Sequence, residues 1–228
     1  MIVVLLSRYF NRYMAFYHCL RRIFGITFSS GYDPPWTYRV WSKKGPGRSA
    51  ENHYPTMSLS DICALPVADL AAKDCVLFLW ATFPNLPEAF EVIKAWGFTY
   101  KTVAFVWCKR NRKSGSFFTG LGYYTRANAE ICLLATRGSP KRISRSVHQI
   151  IDTPIERHSK KPDEARKRIV ELMGDVPRIE LFARERADGW DCFGNEVDGD
   201  IVLENGTFQY NARKALANYN KKREMECT

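Results

Sequence analysis

Four stretches of the chain are almost continuously apolar and are bounded by charged or turn-forming positions: Asp74 to Thr82 (DCVLFLWAT), Phe98 to Cys108, Ala129 to Thr136 (AEICLLAT) and Arg178 to Arg184 (RIELFAR). Runs of this length that are apolar at both parities predict strands covered on both faces. Between them the spacing lengthens to the helical period. Pro87 to Trp96 carries Phe90, Ile93 and Trp96 and stops at Gly97, while Pro162 to Met173 opens on Pro-Asp-Glu and stops at Gly174. Acids in a first turn meet the positive end of the helix dipole, and a glycine after the last turn permits the backbone reversal that ends a helix. Strand, helix, strand alternation predicts an α/β fold with a mainly parallel sheet flanked by helices.

Two segments follow neither period. Thr37 to Thr56 (TYRVWSKKGPGRSAENHYPT) and Arg110 to Asn128 (RNRKSGSFFTGLGYYTRAN) interleave lysine and arginine with aromatic residues, glycine and serine. Loops of that length in a compact domain are functional or disordered, and the aromatic content argues against disorder. Basic groups can track phosphates while flat rings stack on bases, so Arg39, Lys43, Lys44 and Arg48 in the first loop are candidate nucleic-acid contacts. Lys109, Arg110, Arg112, Lys113, Tyr123, Tyr124 and Arg126 are the candidates at the second. A pair of solvated surface loops is the plain alternative.

The ends of the chain read differently from its middle. Residues 1–30 open on an apolar stretch interrupted by Arg8, Arg12, Arg21 and Arg22, which predicts a basic amphipathic helix. Residues 31–197 form the central domain, and residues 198–228 a tail. In that tail, Ile201 to Leu203 and Thr207 to Tyr210 flank Asn205-Gly206, the pair that favours a primed hairpin turn, and a basic helical segment follows from Ala212 to Glu226. There is no internal repeat.

Length and composition bound the function. A chain of 228 residues with 46% hydrophobic and 14% aromatic content buries a full core, and its net charge of +10 implies a polyanionic partner, nucleic acid or an anionic membrane. No apolar run approaches the roughly 20 residues that a membrane span needs. The seven cysteines (Cys19, Cys63, Cys75, Cys108, Cys132, Cys192, Cys227) form no CxxC pair, and the four histidines do not cluster with them. Neither a metal site nor a disulfide framework is expected, and the cysteines read as reduced core residues of a cytoplasmic protein.

The sharpest motif is Asp33-Pro34-Pro35-Trp36. The prolines fix the backbone, remove its N–H donors and leave carbonyl acceptors, which makes a rigid, acceptor-rich corner. An adenine amine can attack a sulfonium methyl only when its lone pair is freed from conjugation with the ring, which acceptors achieve by drawing its hydrogens out of the plane. The Asp33 carboxylate and the Pro34 carbonyl are suited to that, and Trp36 offers a face for the purine to stack on. A rigid turn followed by a buried tryptophan is the alternative reading of the same residues.

With the matches that follow it, this motif resembles the adenine-N6 methyltransferases that bear a DPPW signature (MT-A70-like). The matches are His53-Tyr54-Pro55-Thr56-Met57, the LFLWAT strand, Ser159 to Glu164 (SKKPDE), RIELFAR and Gly194-Asn195-Glu196, in unbroken order over about residues 33 to 197. The resemblance implies a Rossmann-like methyltransferase fold in circularly permuted order, with the catalytic motif ahead of the cofactor-binding one. It implies S-adenosylmethionine as cofactor, contacted by Lys161, Glu180, Phe182, Arg184, Asn195 and Glu196, and it puts Tyr54 and Glu130 near the target base.

On the residues alone, Glu180 lies near the carboxyl end of a strand, where an acid can accept ribose hydroxyls, but it also fits a charged edge position. Lys161 suits a carboxylate partner and equally an exposed site before a helix. Tyr54 can pack under its loop, and Glu130 can be a polar strand end. Two departures from the family pattern are the glycine- and serine-rich Phe24 to Tyr32 ahead of the motif, and Arg186 where the family often has histidine.

The mechanism expected is a single direct displacement onto adenine N6 in DNA, a reading that follows from the compact form shared with phage and bacterial members. RNA is the alternative substrate. A catalytically silent nucleic-acid-binding partner subunit is the alternative of another class, although silent relatives lose the acidic-Pro-Pro-aromatic string that this chain keeps.

Overall fold

A computed structural model describes residues 2–4, 36, 56–122, 124–157 and 159–211. A five-stranded sheet lies at its centre, built from β1 (Ile2–Val4), β2 (Cys75–Ala81), β3 (Thr99–Arg110), β4 (Ala129–Arg137) and β5 (Ile150–Pro154) in the order β1-β2-β4-β3-β5. Every residue of β2 is buried, as expected of a strand apolar at both parities and covered on both sides.

Alternation along β2 assigns its side chains to two separate cores. Cys75, Leu77, Leu79 and Ala81 join one cluster with residues of α1 (Leu59–Ala64), α2 (Val67–Leu70) and α3 (Leu86–Ala95). Val76, Phe78 and Trp80 join the other, with Ala165, Ile169 and Met173 of α4 (Asp163–Met173). The result is a layer of helix on each face of the sheet. Trp96, just after α3, donates its indole N–H to the Ile62 carbonyl at 2.9 Å and ties α3 to α1 within the buried layer.

The expected strands and helices recur with small changes of boundary, but the sheet is mixed rather than mainly parallel. The β2–β4, β3–β4 and β1–β2 pairs are antiparallel, and only β3–β5 is parallel within it. The cause lies in the connection from β3 to β4. The described residues of 111–128 contain no crossover helix, and without one a strand returns antiparallel beside its predecessor. The opening residues depart from expectation too: Ile2–Val4 is a strand paired with β2 rather than the start of a helix, in keeping with the strand preference of β-branched Ile and Val. The remainder of residues 1–30 and the helical segment expected over 212–226 lie outside the described residues.

Beyond α4, β6 (Ile179–Leu181) and β7 (Asp191–Phe193) pair in parallel. The strand expected to reach Arg184 stops at Leu181, because Phe182 adopts φ 59° and takes the backbone out of the extended region. The tail hairpin forms as expected, β8 (Ile201–Glu204) with β9 (Thr207–Tyr210). Asn205 (φ 50°) and Gly206 (φ 73°) make the primed turn.

Arg186, the departure from the family pattern, anchors this hairpin. It donates to both Asp200 carboxylate oxygens at 2.9 and 3.0 Å and to the Asp198 carbonyl at 2.8 Å. Among the described residues no helix is long and apolar enough to cross a membrane.

Candidate active site

The register brings the carboxyl ends of β2, β3 and β5 to the amino end of β4: Ala81 is opposite Ile131, Cys108 opposite Ala129, and Pro154 beside Arg110. This is the edge at which α/β sheets gather ligand-binding groups. Glu130, opposite Trp107 on β3, shares the parity of Cys132, so its carboxylate lies on the α4 side with Trp80 and Trp107.

Two lysines converge on Glu130, which is 9% exposed. Lys161, 2% exposed and just ahead of α4, donates to Oε2 at 2.6 Å, and Lys109, near the end of β3, donates to Oε1. Beneath them the Trp80 and Trp107 rings meet edge to face with centroids 6.3 Å apart. The Lys109 ammonium lies 5.1 Å from the Trp107 centroid, and that of Lys161 lies 5.8 Å from Trp80, within the range of a cation–π contact. Burial pushes the Glu130 carboxyl up, but the attraction and hydrogen bonds of the two ammonium groups outweigh it and hold the group well below the usual carboxylate range.

Glu180 is held inside the fold. It is 1% exposed, and Arg166 of α4 grips both of its oxygens, Nε to Oε2 at 2.9 Å and Nη2 to Oε1 at 3.0 Å. Burial pushes the Glu180 carboxyl above its ordinary value, and the guanidinium draws it partly back. The pair ties α4 to β6. Arg166 was not among the residues expected from sequence. Its signal was faint, a basic residue on the apolar stripe Ala165, Ile169 and Met173 of an otherwise solvated helix.

Beyond Leu181 the chain turns at Phe182, whose ring meets Phe193 at 6.3 Å, and Arg184 pairs with Glu196 at 2.7 Å. Asn195 is exposed beside them. Gly194 keeps the two segments in register: a Cβ there would lie 2.0 Å from the Ala183 carbonyl oxygen and 2.8 Å from its nitrogen, both backbone atoms. Gly194→Ala should therefore cost about 1–3 kcal/mol of stability by overpacking. The check is thermal unfolding, where a domain of this size loses roughly 2–4 °C per kcal/mol. An unchanged melting temperature would contradict the close packing of these segments.

A further tie joins this segment to the one carrying Lys161. Glu185 accepts from Arg157 and lies 3.4 Å from the Lys160 ammonium. The cofactor-side residues expected from sequence, Lys161, Phe182, Arg184, Asn195 and Glu196, thus sit on three segments that are tethered to one another.

The second basic loop is folded back on itself. Phe118 N donates to the Lys109 carbonyl at 2.8 Å and Gly120 N to that of Ala127 at 2.8 Å. Two of its expected phosphate contacts are engaged internally. Lys109 is on Glu130, and Arg110 donates to both Asp152 oxygens at 2.7 Å while its guanidinium stacks 3.8 Å from the Phe117 centroid. Arg112, Lys113, Tyr124 and Arg126 are exposed at its surface.

Trp36, only 2% exposed, belongs to the core cluster on the α1–α3 side and forms a parallel bridge with Met57. It is packed as an anchor and presents no open face for a base. Asp33, Pro34, Pro35, Arg39, Lys43, Lys44, Arg48, Tyr54 and Tyr123 lie outside the described residues.

A family model described as MT-A70 matches residues 32–196. The type II methyltransferase M.MunI of Mycoplasma sp is 35% identical over 156 residues, 68% of this chain and 64% of the relative. The N(6)-adenosine-methyltransferase MT-A70-like protein of Arabidopsis thaliana is 29% identical over 188 residues, 80% of this chain and 25% of the relative. The human N(6)-adenosine-methyltransferase catalytic subunit METTL3 is 27% identical over 176 residues, 75% of this chain and 28% of the relative. The chain therefore spans less than two thirds of these relatives' lengths.

Proposed function

The chain belongs to the MT-A70 family, and from that premise we propose that it is an S-adenosylmethionine-dependent methyltransferase acting on N6 of adenine in DNA. The observation that carries this reading is the buried Lys161–Glu130 pair at one edge of the central sheet, tethered through Glu185 to the segment that bears the Arg184–Glu196 pair, all inside the segment matched by the family. Likeness to a type II methyltransferase supports DNA as the substrate. Likeness to N(6)-adenosine-methyltransferases supports RNA as the second reading.

The donor set suits the cofactor. A buried ammonium at Lys161 matches a carboxylate, and the exposed Asn195 beside the Arg184–Glu196 pair offers both donors and acceptors to ribose hydroxyls. The half-buried aromatic Phe182 offers apolar contact. Bound there, S-adenosylmethionine supplies an electrophilic methyl group.

The protein's own residues do the rest. Asp33 and the Pro34 carbonyl accept the hydrogens of the adenine amine and free its lone pair. Pro34 and Pro35 keep that corner stiff, and the buried Trp36 anchors it. Tyr54 and Glu130 border the base, while Arg112, Lys113, Tyr124 and Arg126 meet the nucleic-acid backbone. The catalytic motif precedes the cofactor residues, the circularly permuted order. In a duplex the base must leave the stack at a cost of a few kcal/mol, which contacts from the basic loops would offset.

The test is incubation of the purified chain with S-adenosylmethionine and single-stranded DNA, duplex DNA or RNA, followed by mass spectrometry for 6-methyladenine. Product in DNA is expected. Product in RNA alone moves the substrate to RNA, and none in any arm refutes the reading.

A further inference from the structure

The two cations on Glu130 come from different elements. Lys161 arrives from the segment before α4, and Lys109 from β3, one strand over from Glu130 on β4. Lys161 is also the residue assigned to the cofactor carboxylate, so on loading it would serve two carboxylates at once. Two like charges sharing one buried ammonium repel each other strongly in a medium of low polarity. A second ammonium on Glu130 relieves that conflict, because two cations then face two anions.

Lys109 is built for this. Its side chain is 18% exposed, and its ammonium lies 5.1 Å from the Trp107 ring centroid and reaches the Glu130 oxygen that Lys161 does not occupy.

We propose that Lys109 is a positioning residue, which keeps Glu130 charge-compensated and in place so that Lys161 can turn to the cofactor carboxylate. It couples cofactor loading to the base-side residue Glu130 rather than touching nucleic acid. The proposal rests on the methyltransferase reading and assigns to Lys109 a role different from the phosphate contact its sequence context implies.

Lys109→Met keeps the stem and removes the charge. With Lys161 then required by Glu130, affinity for S-adenosylmethionine, measured by calorimetry on the full chain, should fall about 5- to 10-fold, within the usual range of coupling between sites. Lys109→Arg should restore most of it. In a Glu130→Gln background the same Lys109→Met change should have no further effect, which a merely structural lysine would not obey.

A second readout needs no cofactor. The charged groups facing Glu130 are Lys109 and Lys161. A carboxyl whose folded value is depressed loses its charge as pH falls through that value, so removing one cation moves the transition upward. In a carbon-13 glutamate titration by NMR, the Glu130 resonance, assigned by its loss in Glu130→Gln, should titrate about 1 pH unit or more higher in Lys109→Met.

A wild-type chain that binds no S-adenosylmethionine overturns the methyltransferase reading and this proposal together. A wild-type chain that binds it, with Lys109→Met matching wild type in both readouts or equally impaired when Glu130 is Gln, overturns the proposal alone.

Discussion

Asp33→Ala is expected to lower methyl transfer to adenine by about 10²–10³-fold or more, the scale of removing one preorganised polar group from a reacting centre, while leaving S-adenosylmethionine affinity at the wild-type level. The lone pair of the exocyclic amine is conjugated with the purine ring, so it becomes nucleophilic only as its hydrogens are held out of the plane. Asp33 is the charged acceptor of the motif, and Pro34 contributes only a carbonyl. Because that hydrogen bond strengthens as positive charge builds on the nitrogen, kcat and kcat/KM should fall together. Asp33→Asn, which keeps the shape and one acceptor but loses the charge, should be intermediate. The check is transfer of tritiated methyl from cofactor to an adenine-containing oligonucleotide, with affinity measured separately. Wild-type turnover by Asp33→Ala would remove the motif from the chemistry.

The second large effect falls on stability. Glu180→Ala should destabilise the fold by about 3–5 kcal/mol, the cost of leaving one member of a buried ion pair without its partner. Arg166 is buried in α4 with two of its nitrogens on Glu180. Asp163, its other carboxylate contact, is exposed on the first turn of the helix, and a screened surface acid compensates a buried guanidinium poorly. Replacing both, Glu180→Leu with Arg166→Met, should recover most of the loss, since a buried pair exchanged for apolar residues of similar size is often neutral. Denaturant unfolding of the cofactor-free chain measures both. A Glu180→Ala protein of unchanged stability but weakened cofactor binding would return Glu180 to the ribose.

Patterning along the chain was legible wherever a short-range rule governs it. The strands at 75–81 and 129–137, the helix stops at Gly97 and Gly174, and the Asn205-Gly206 turn follow from apolar runs and backbone conformational preference, which neighbours in sequence decide. The family was legible from DPPW and the matches after it, because several motifs in fixed order carry more information than any one. Less visible were α1, α2, β5 and β7, which are short and gain their stability from the surfaces they cover rather than from their own periodicity.

The site was legible in its residue types and not in its pairings. Sequence marked Glu130, Lys161, Glu180 and Lys109 as polar groups worth placing, yet gave Lys109 and Arg110 to phosphates and Glu180 to a ribose. The fold instead engages Lys109 with Glu130, Arg110 with Asp152 and Glu180 with Arg166.

The sequence by itself determined the α/β elements, the motif family and the basic character of the chain, since each depends on residues adjacent or nearly adjacent along it. Tertiary structure alone decided that the β3–β4 return makes the sheet mixed, that Trp36 is buried, and which cation faces which acid. The physical reason is that an ion pair or a buried ring depends on partners brought together through space: Lys161 lies 31 positions from the Glu130 it grips, and no local rule encodes that distance.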